Sequence, residues 1–381
     1  MSPSATTRPH SVLFLIDQLT ELGGAERMMF ALARSLSEIG YRTTIVTLRE
    51  QPSPEAYRYA DDLIVLPTRS CLSKQGLQTL GRLRQIIQER EVCLVQTYFE
   101  SADLFGAIAS RLAGVRAICS SRRDMGLLRS TKHNVLYRIL TPLYSHVFAV
   151  SEKVARWHQE KDRIAAKRIS VIHNGVALER YDQRVQREQP SQTSDASPRP
   201  LMITTVANVN PWKGIDVFLR TAAIVHQEFP QTIFAVAGDW TDREHLQELH
   251  AIADDLGITD YVHFMGRVED VPSLLQTTDI FALLSRTEGF PNVVIEAMAA
   301  SLPTVATEVG GTPEAVTEGV TGYLVPNEDH VRAADRIIHL LRNPELREKM
   351  GSAARALVAT EFSIQAMVTR HVEVYDALLA G

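Results

Sequence analysis

Short apolar runs alternate with amphipathic stretches along most of this 381-residue chain. Runs of strand length fall at residues 12–16, 42–48, 63–66, 92–96, 117–120, 147–150 and 170–172, and between them lie helical patterns such as 26–39, 75–89 and 101–113. The same rhythm returns with runs at 201–207, 233–238, 262–264, 280–284, 304–306 and 323–325. Strands that alternate with helices predict parallel sheets with right-handed crossovers, so the fold class is α/β, with two doubly wound Rossmann-like domains facing a central cleft. That cleft is the expected ligand site.

The break between the two series is a stretch from Arg184 to Pro200 containing Gln-Pro-Ser-Gln-Thr-Ser-Asp-Ala-Ser-Pro-Arg-Pro, whose polarity and prolines mark a linker. The expected division is therefore a first domain at 1–180, a linker at 181–200 and a second domain at 201–361, followed by a final helical stretch at 362–381. Residues 1–10 read as a leader without structure of its own. A chain of this length exceeds the usual single core, which agrees with two domains.

Composition adds two points. With 45% hydrophobic and 22% charged residues, and no run near the roughly 20 apolar residues of a membrane span, the chain reads as a cytoplasmic globular protein. Cys71, Cys93 and Cys119 are widely spaced and are expected to be reduced thiols. The net charge of −5 hides an asymmetry, since residues 1–180 hold 25 Lys and Arg against 17 Asp and Glu, or +8, and the remainder holds 15 against 28, or −13. A positive first half suits an anionic partner, either a phosphate-linked substrate or the inner face of a cell membrane. Nucleic acid is not expected, because no binding module is recognisable.

The chemistry concentrates at residues 285–298, Ser-Arg-Thr-Glu-Gly-Phe-Pro-Asn-Val-Val-Ile-Glu-Ala-Met. An apolar strand at 279–284 runs into Gly289 and Pro291, and a helix opens at Asn292. Such a junction presents backbone N–H groups and the positive end of a helix dipole to an oxygen-rich ligand. Glu288 and Glu296 bracket it, and Glu296 sits in a helix apolar nearly all round, where a carboxylate needs a partner.

This pair, with Gly289-Phe290-Pro291 between, resembles the donor-site signature of retaining nucleotide-sugar glycosyltransferases of the GT-B fold, family 4 (glycosyl transferases group 1). The likeness continues through Gly310-Gly311-Thr312-Pro313-Glu314 and Gly322-Tyr323-Leu324-Val325-Pro326. It implies an enzyme that moves a hexose from a UDP- or GDP-sugar donor to a glycan or lipid-linked acceptor, with retention, in cell-surface polysaccharide or glycolipid synthesis. It also implies that the final helix packs back on the first domain, and that the donor phosphate itself assists same-face attack. Domain closure would then limit hydrolysis of the donor. A nucleotide-sugar 2-epimerase and an inactive nucleotide-sugar-binding homologue are the alternatives.

By the same resemblance, Lys213 in Asn208-Val209-Asn210-Pro211-Trp212-Lys213-Gly214 neutralises the donor diphosphate, and Glu288 and Lys213 are the catalytic candidates. Donor binding falls to Gly23, Gly24, Asn208, Lys213, Glu288, Gly289, Phe290, Pro291, Asn292 and Glu296. Acceptor binding falls to Tyr98, Arg122 and Arg123. Two departures stand out: many relatives carry an arginine where this chain has Asn208, and the stretch Gln96-Thr97-Tyr98-Phe99-Glu100 lacks a histidine common near that point. For Arg122 and Arg123, an ion pair with Asp124 competes with phosphate binding. Arg129, Lys132, His133 and Arg138, interleaved with Leu127, Leu128, Val135, Leu136, Tyr137 and Ile139, read as a basic amphipathic surface for anionic lipid or as an ordinary helix with a solvated basic side. The histidines show no ligand spacing and no Asp-x-Asp motif occurs, so no metal and no cofactor are expected.

Overall fold

The computed structural model describes residues 10–49, 51–68, 73–126, 129, 131–182, 199–240 and 242–380. The expected leader up to residue 9, most of the expected linker, Cys71, Leu127 and Leu128 lie outside the described residues, as does the side chain of Lys132. The chain forms two compact units, one of residues 1–174 with 364–381 and one of residues 175–363. The expected boundary after residue 180 thus lies a few residues inside the second unit.

In the first unit seven parallel strands, β1 Ser11–Ile16, β2 Arg42–Thr47, β3 Leu63–Val65, β4 Leu94–Tyr98, β5 Ala117–Arg122, β6 His146–Ala149 and β7 Ile169–Val171, stand in the order β3-β2-β1-β4-β5-β6-β7. The central strand shows why the sheet is covered on both faces. Val12, Phe14 and Ile16 enter one core with Leu32, Leu36 and, from the final helix Ile364–Ala380, Tyr375, whereas Leu13 and Leu15 enter a second with Leu83, Ile86 and Phe105. Successive side chains of a strand point to opposite faces, so a run apolar at every position is what a buried central strand requires. The final helix is also joined to β4 by a bond from the Tyr375 hydroxyl to Gln96 Oε1.

The second unit repeats the plan with six parallel strands, β8 Met202–Val206, β9 Ile233–Ala237, β10 Val262–Gly266, β11 Ile280–Leu283, β12 Thr304–Thr307 and β13 Gly322–Val325, in the order β10-β9-β8-β11-β12-β13. Its core joins Ile203, Phe234 and Ile280 of the sheet to Phe218 and Leu219 of helix Ile215–Glu228 and to Ile337 and Leu340 of helix His330–Arg342. In both units the strand order reverses beside the first strand, between β1 and β4 and between β8 and β11. Ligands of open α/β sheets bind outside the carboxyl ends of strands at such a reversal.

One strand differs from expectation. The run at 92–96 is displaced, since β4 begins at Leu94 and continues to Tyr98. Thr97 and Tyr98 pair with Leu15 and Ile16 of β1 and with Ser120 and Ser121 of β5, so neighbouring strands set the register where local hydrophobicity points two residues upstream. No described helix is long and apolar enough to cross a membrane.

Candidate functional site

At the reversal of the second unit, the loop after β8 carries Lys213 and the loop after β11 carries Glu288. Lys213 Nζ donates to Glu288 Oε1 at 2.7 Å, and the side chains keep 23% and 9% of their exposure, enough for a ligand to reach the cation. Glycines allow this approach. Gly214 has φ +62°, and a Cβ there would fall 2.0 Å from the Leu284 carbonyl oxygen, so the Lys213 corner rests directly on the end of β11. Gly310 has φ +55°, and its Cβ would meet the Glu288 carbonyl oxygen at 1.6 Å. Neither contact leaves room for any side chain. Gly311 N–H then donates to Gly289 O at 3.0 Å, which fixes the loop that leads into helix Asn292–Ala299.

That helix is preceded by Pro291, which supplies no side-chain cap. Phe290 is buried and rests on Phe362, with ring centroids 5.6 Å apart. Glu296 is half-buried one turn inside the helix, and Asn208 is exposed at the end of β8. The donor residues expected in the second unit therefore lie on three segments about one strand reversal. A cation, a carboxylate and a helix N-terminus combine there, and that set can hold a diphosphate while accepting hydroxyl hydrogen bonds.

The first unit departs further from expectation. Gly23 and Gly24 are exposed at the start of helix Gly24–Glu38, but the helix end is already served by an anion. The Glu26 carboxylate accepts from the Gly23 backbone N–H and lies 2.9 Å from where a Gly23 Cβ would stand. This is the reach-back of a capping box, with Glu in its third helical position. The Gly23-Gly24 loop thus presents an acid where a phosphate site was expected. Burial raises the Glu26 carboxyl above its ordinary range.

Tyr98 is buried at the end of β4, its hydroxyl accepting from Gln96 Nε2 at 2.8 Å, and burial pushes it up to about 12. Arg122 is 3% exposed, and its ion-pair partner is Asp103, not Asp124. Asp103 is fully buried and also accepts from Thr97, from Ser120 Oγ at 2.7 Å and from the Tyr137 hydroxyl at 2.8 Å. Burial alone would lower the Arg122 pKa, and the negative charge of Asp103 carries it above the ordinary arginine value. The Tyr137 ring lies 4.2 Å from the guanidinium carbon, and two Arg122 nitrogens have no hydrogen-bond partner among the described residues. Both Tyr98 and Arg122 therefore lie in the interior of the unit, with the Tyr98 hydroxyl and Arg122 Nη1 paired within it. Asp124 instead accepts from Gly126 N–H at 2.5 Å.

Arg123 is half-buried and donates to Asn174 Oδ1 at 2.5 Å. It lines a small cavity with Phe99, Glu100, Asp124 and His158. Phe99 holds φ +70°, a strained conformation for a bulky residue. Arg129 is withdrawn from the expected basic surface, since both Asp162 oxygens accept from its Nη1 at 3.0 and 3.1 Å and its side chain is nearly buried. Val135 and Ile139 do stand exposed, one turn apart on helix Thr131–Leu140. Among the described residues no group of three or more His, Cys, Asp or Glu is placed to hold a metal ion.

Two doubly wound α/β units with these strand orders define the chain as a GT-B protein. Residues 22–180 match the model of Glycosyltransferase Family 4 and residues 186–357 that of Glycosyl transferases group 1, so the chain belongs to this glycosyltransferase family. It is 28% identical over 312 residues to the Vi polysaccharide biosynthesis protein VipC/TviE of Salmonella typhi, covering 75% of this chain and 51% of that protein. It is 39% identical over 213 residues to the N-acetyl-alpha-D-glucosaminyl L-malate synthase of Bacillus anthracis, covering 56% of this chain and 55% of that one. The matched region therefore spans about half the length of either relative. Among solved structures, Anabaena HepE in complex with UDP superposes with a TM-score of 0.81 at 22% identity, over 96% of this chain and 100% of that one, a likeness of fold.

Proposed function

We propose that this chain is a retaining glycosyltransferase that moves a hexose from a UDP- or GDP-hexose to a glycan or lipid-linked acceptor in polysaccharide or glycolipid synthesis. The observation that carries the reading is the Lys213–Glu288 pair, 2.7 Å apart at the strand reversal of the second unit. A leaving nucleoside diphosphate gains negative charge as the glycosidic bond breaks, and a cation already fixed beside it stabilises that change without reorganisation. Lys213 serves as this countercharge in place of a divalent metal. Glu288 orients Lys213 in the unliganded protein and takes sugar hydroxyls when the donor arrives, while Glu296 holds the ribose. The relatives support a sugar donor, since one is an N-acetyl-alpha-D-glucosaminyl L-malate synthase and the HepE structure contains UDP. Acceptor binding belongs to the first unit, beside Arg123 and the cavity it lines.

The reading is tested by calorimetric titration of the protein with UDP, GDP, ADP and their hexose conjugates without added metal. Saturable binding of one nucleotide series, weakened at least tenfold by Lys213→Ala, is the expected result. Equal affinity in the wild type and this variant would remove Lys213 from the donor site, and no binding by any series would remove the site itself.

A further inference from the structure

Lys213 and Glu288 sit on different loops, and something must keep those loops in register before a ligand arrives. The glycine contacts fix distance, but they are van der Waals contacts and bear on single points. Arg286, two residues before Glu288, has a side chain that reaches several segments at once. Its backbone N–H donates to Trp212 O at 2.8 Å, the residue before Lys213. Its Nη1 donates to Pro211 O at 2.5 Å and to Asp216 Oδ1 at 2.8 Å, and its Nη2 donates to Asp216 Oδ2 at 2.7 Å. Its Nε and Nη2 reach both oxygens of Glu328, the latter at 3.1 Å.

All the N–H groups of the guanidinium edge are thus directed at three segments: the Lys213 loop, the first turn of the helix that follows it, and the approach to helix His330–Arg342. The planar fork paired with Asp216 has an orientation that a point charge could not impose. Glu328 holds φ +65°, a backbone conformation seldom adopted by a residue with a side chain, and its carboxylate is one of the anchors. The Asp216 bond also raises Arg286 above the ordinary arginine range, while Asp216 is held below the usual carboxylate range, with the Arg286 bond and charge outweighing burial.

We infer that Arg286 is a positioning residue, which sets the Lys213 ammonium against Glu288 and so tunes the site for a diphosphate without touching the ligand itself. The inference rests on the donor-site reading above. A residue that serves only general stability would affect every ligand alike. Arg286 would affect the part of the ligand that Lys213 meets.

The test compares wild type, Arg286→Lys and Asp216→Asn for binding of a nucleoside diphosphate and the matching nucleoside monophosphate, with amide hydrogen exchange followed in residues 208–214. Both variants are expected to weaken diphosphate binding about tenfold while monophosphate binding changes less than twofold. Exchange in 208–214 should accelerate in both, and exchange in β8 and β11 should not. Because Asp216→Asn removes bonds that Arg286→Lys also removes, the double variant should bind no more weakly than Arg286→Lys alone. Equal loss for the two ligands, or unchanged exchange in 208–214, would overturn the inference. A wild type that binds neither nucleotide would sink the donor site alone, and the exchange measurement would still decide whether Arg286 holds the loop.

Discussion

The two units repeat one strand order around the reversal, and the charged groups near it meet opposite fates. In the first unit, Asp17 at the end of β1 accepts from the backbone N–H groups of Ser101 and Ala102 at 3.1 and 2.5 Å, which serves the start of helix Glu100–Leu112. Glu26 likewise serves its own helix, and Arg122 is sealed against Asp103. In the second unit, Lys213 and Glu288 meet each other across two loops at the carboxyl ends of the strands, with Lys213 half-buried and Glu288 buried. The same topology can thus commit its ions to its own backbone and core or hold them ready for a ligand. The number of internal partners decides which. An ion with four donors around it, as Asp103 has, is part of the scaffold, while one with a single ionic partner at the edge of solvent can exchange that partner for substrate.

The largest effect should come from the sealed pair. Asp103→Asn leaves the Arg122 charge in the interior without its counter-ion, and breaking a buried pair from one side costs about 3–5 kcal/mol. Urea unfolding should show that loss in the first unit, with nucleotide binding by the second unit retained at low denaturant. Full stability together with loss of acceptor use would break the comparison, because Arg122 would then belong to a ligand.

Next comes Glu288→Gln, which keeps the size and hydrogen-bonding reach of the side chain but removes the charge that faces Lys213. Turnover of a nucleotide sugar accepted by the wild type should fall about a hundredfold, near 2.7 kcal/mol of transition-state stabilisation, with the thermal unfolding midpoint little changed. A variant that turns over normally but melts early would assign Glu288 to the scaffold, as Asp103 is, and the two units would no longer differ.

Much of this was legible in the chain. Each of the thirteen described strands falls on or within two residues of an apolar run, because a parallel strand covered on both faces is largely apolar. Lys213 and Glu288 were singled out by the resemblance of their loops to a family signature, and the structure brings the two side chains to 2.7 Å from each other. The partners of the charged groups were not. Arg122 has Asp124 two residues away in sequence, but it ends β5, and the helix that precedes that strand presents Asp103 beneath it. The reach of Arg286 to Asp216 and Glu328 likewise spans three loops that only the sheet order brings together. Glu26 carried a local signal in its spacing from Gly23, that of a capping box, which the glycine pair overshadowed.

The smallest effect sharpens the contrast through pH. Burial raises the Asp17 carboxyl from 3.8 to about 6, against the lowering influence of its two backbone bonds. The native state therefore holds this proton more tightly than the unfolded chain, so the contribution is fully present below about pH 3.8 and is lost as pH rises through about 6. Asp17→Asn removes the titration while keeping an oxygen that can accept one backbone bond. The difference in unfolding free energy between wild type and variant should accordingly drift by about 2 kcal/mol against the wild type between pH 4.5 and 7, and stay level above that. A flat difference for Asp17→Asn would mean that the carboxylate is ionised throughout, held by the helix end it serves. The two carboxylates at the strand ends, Asp17 and Glu288, would then differ only in which partner they hold.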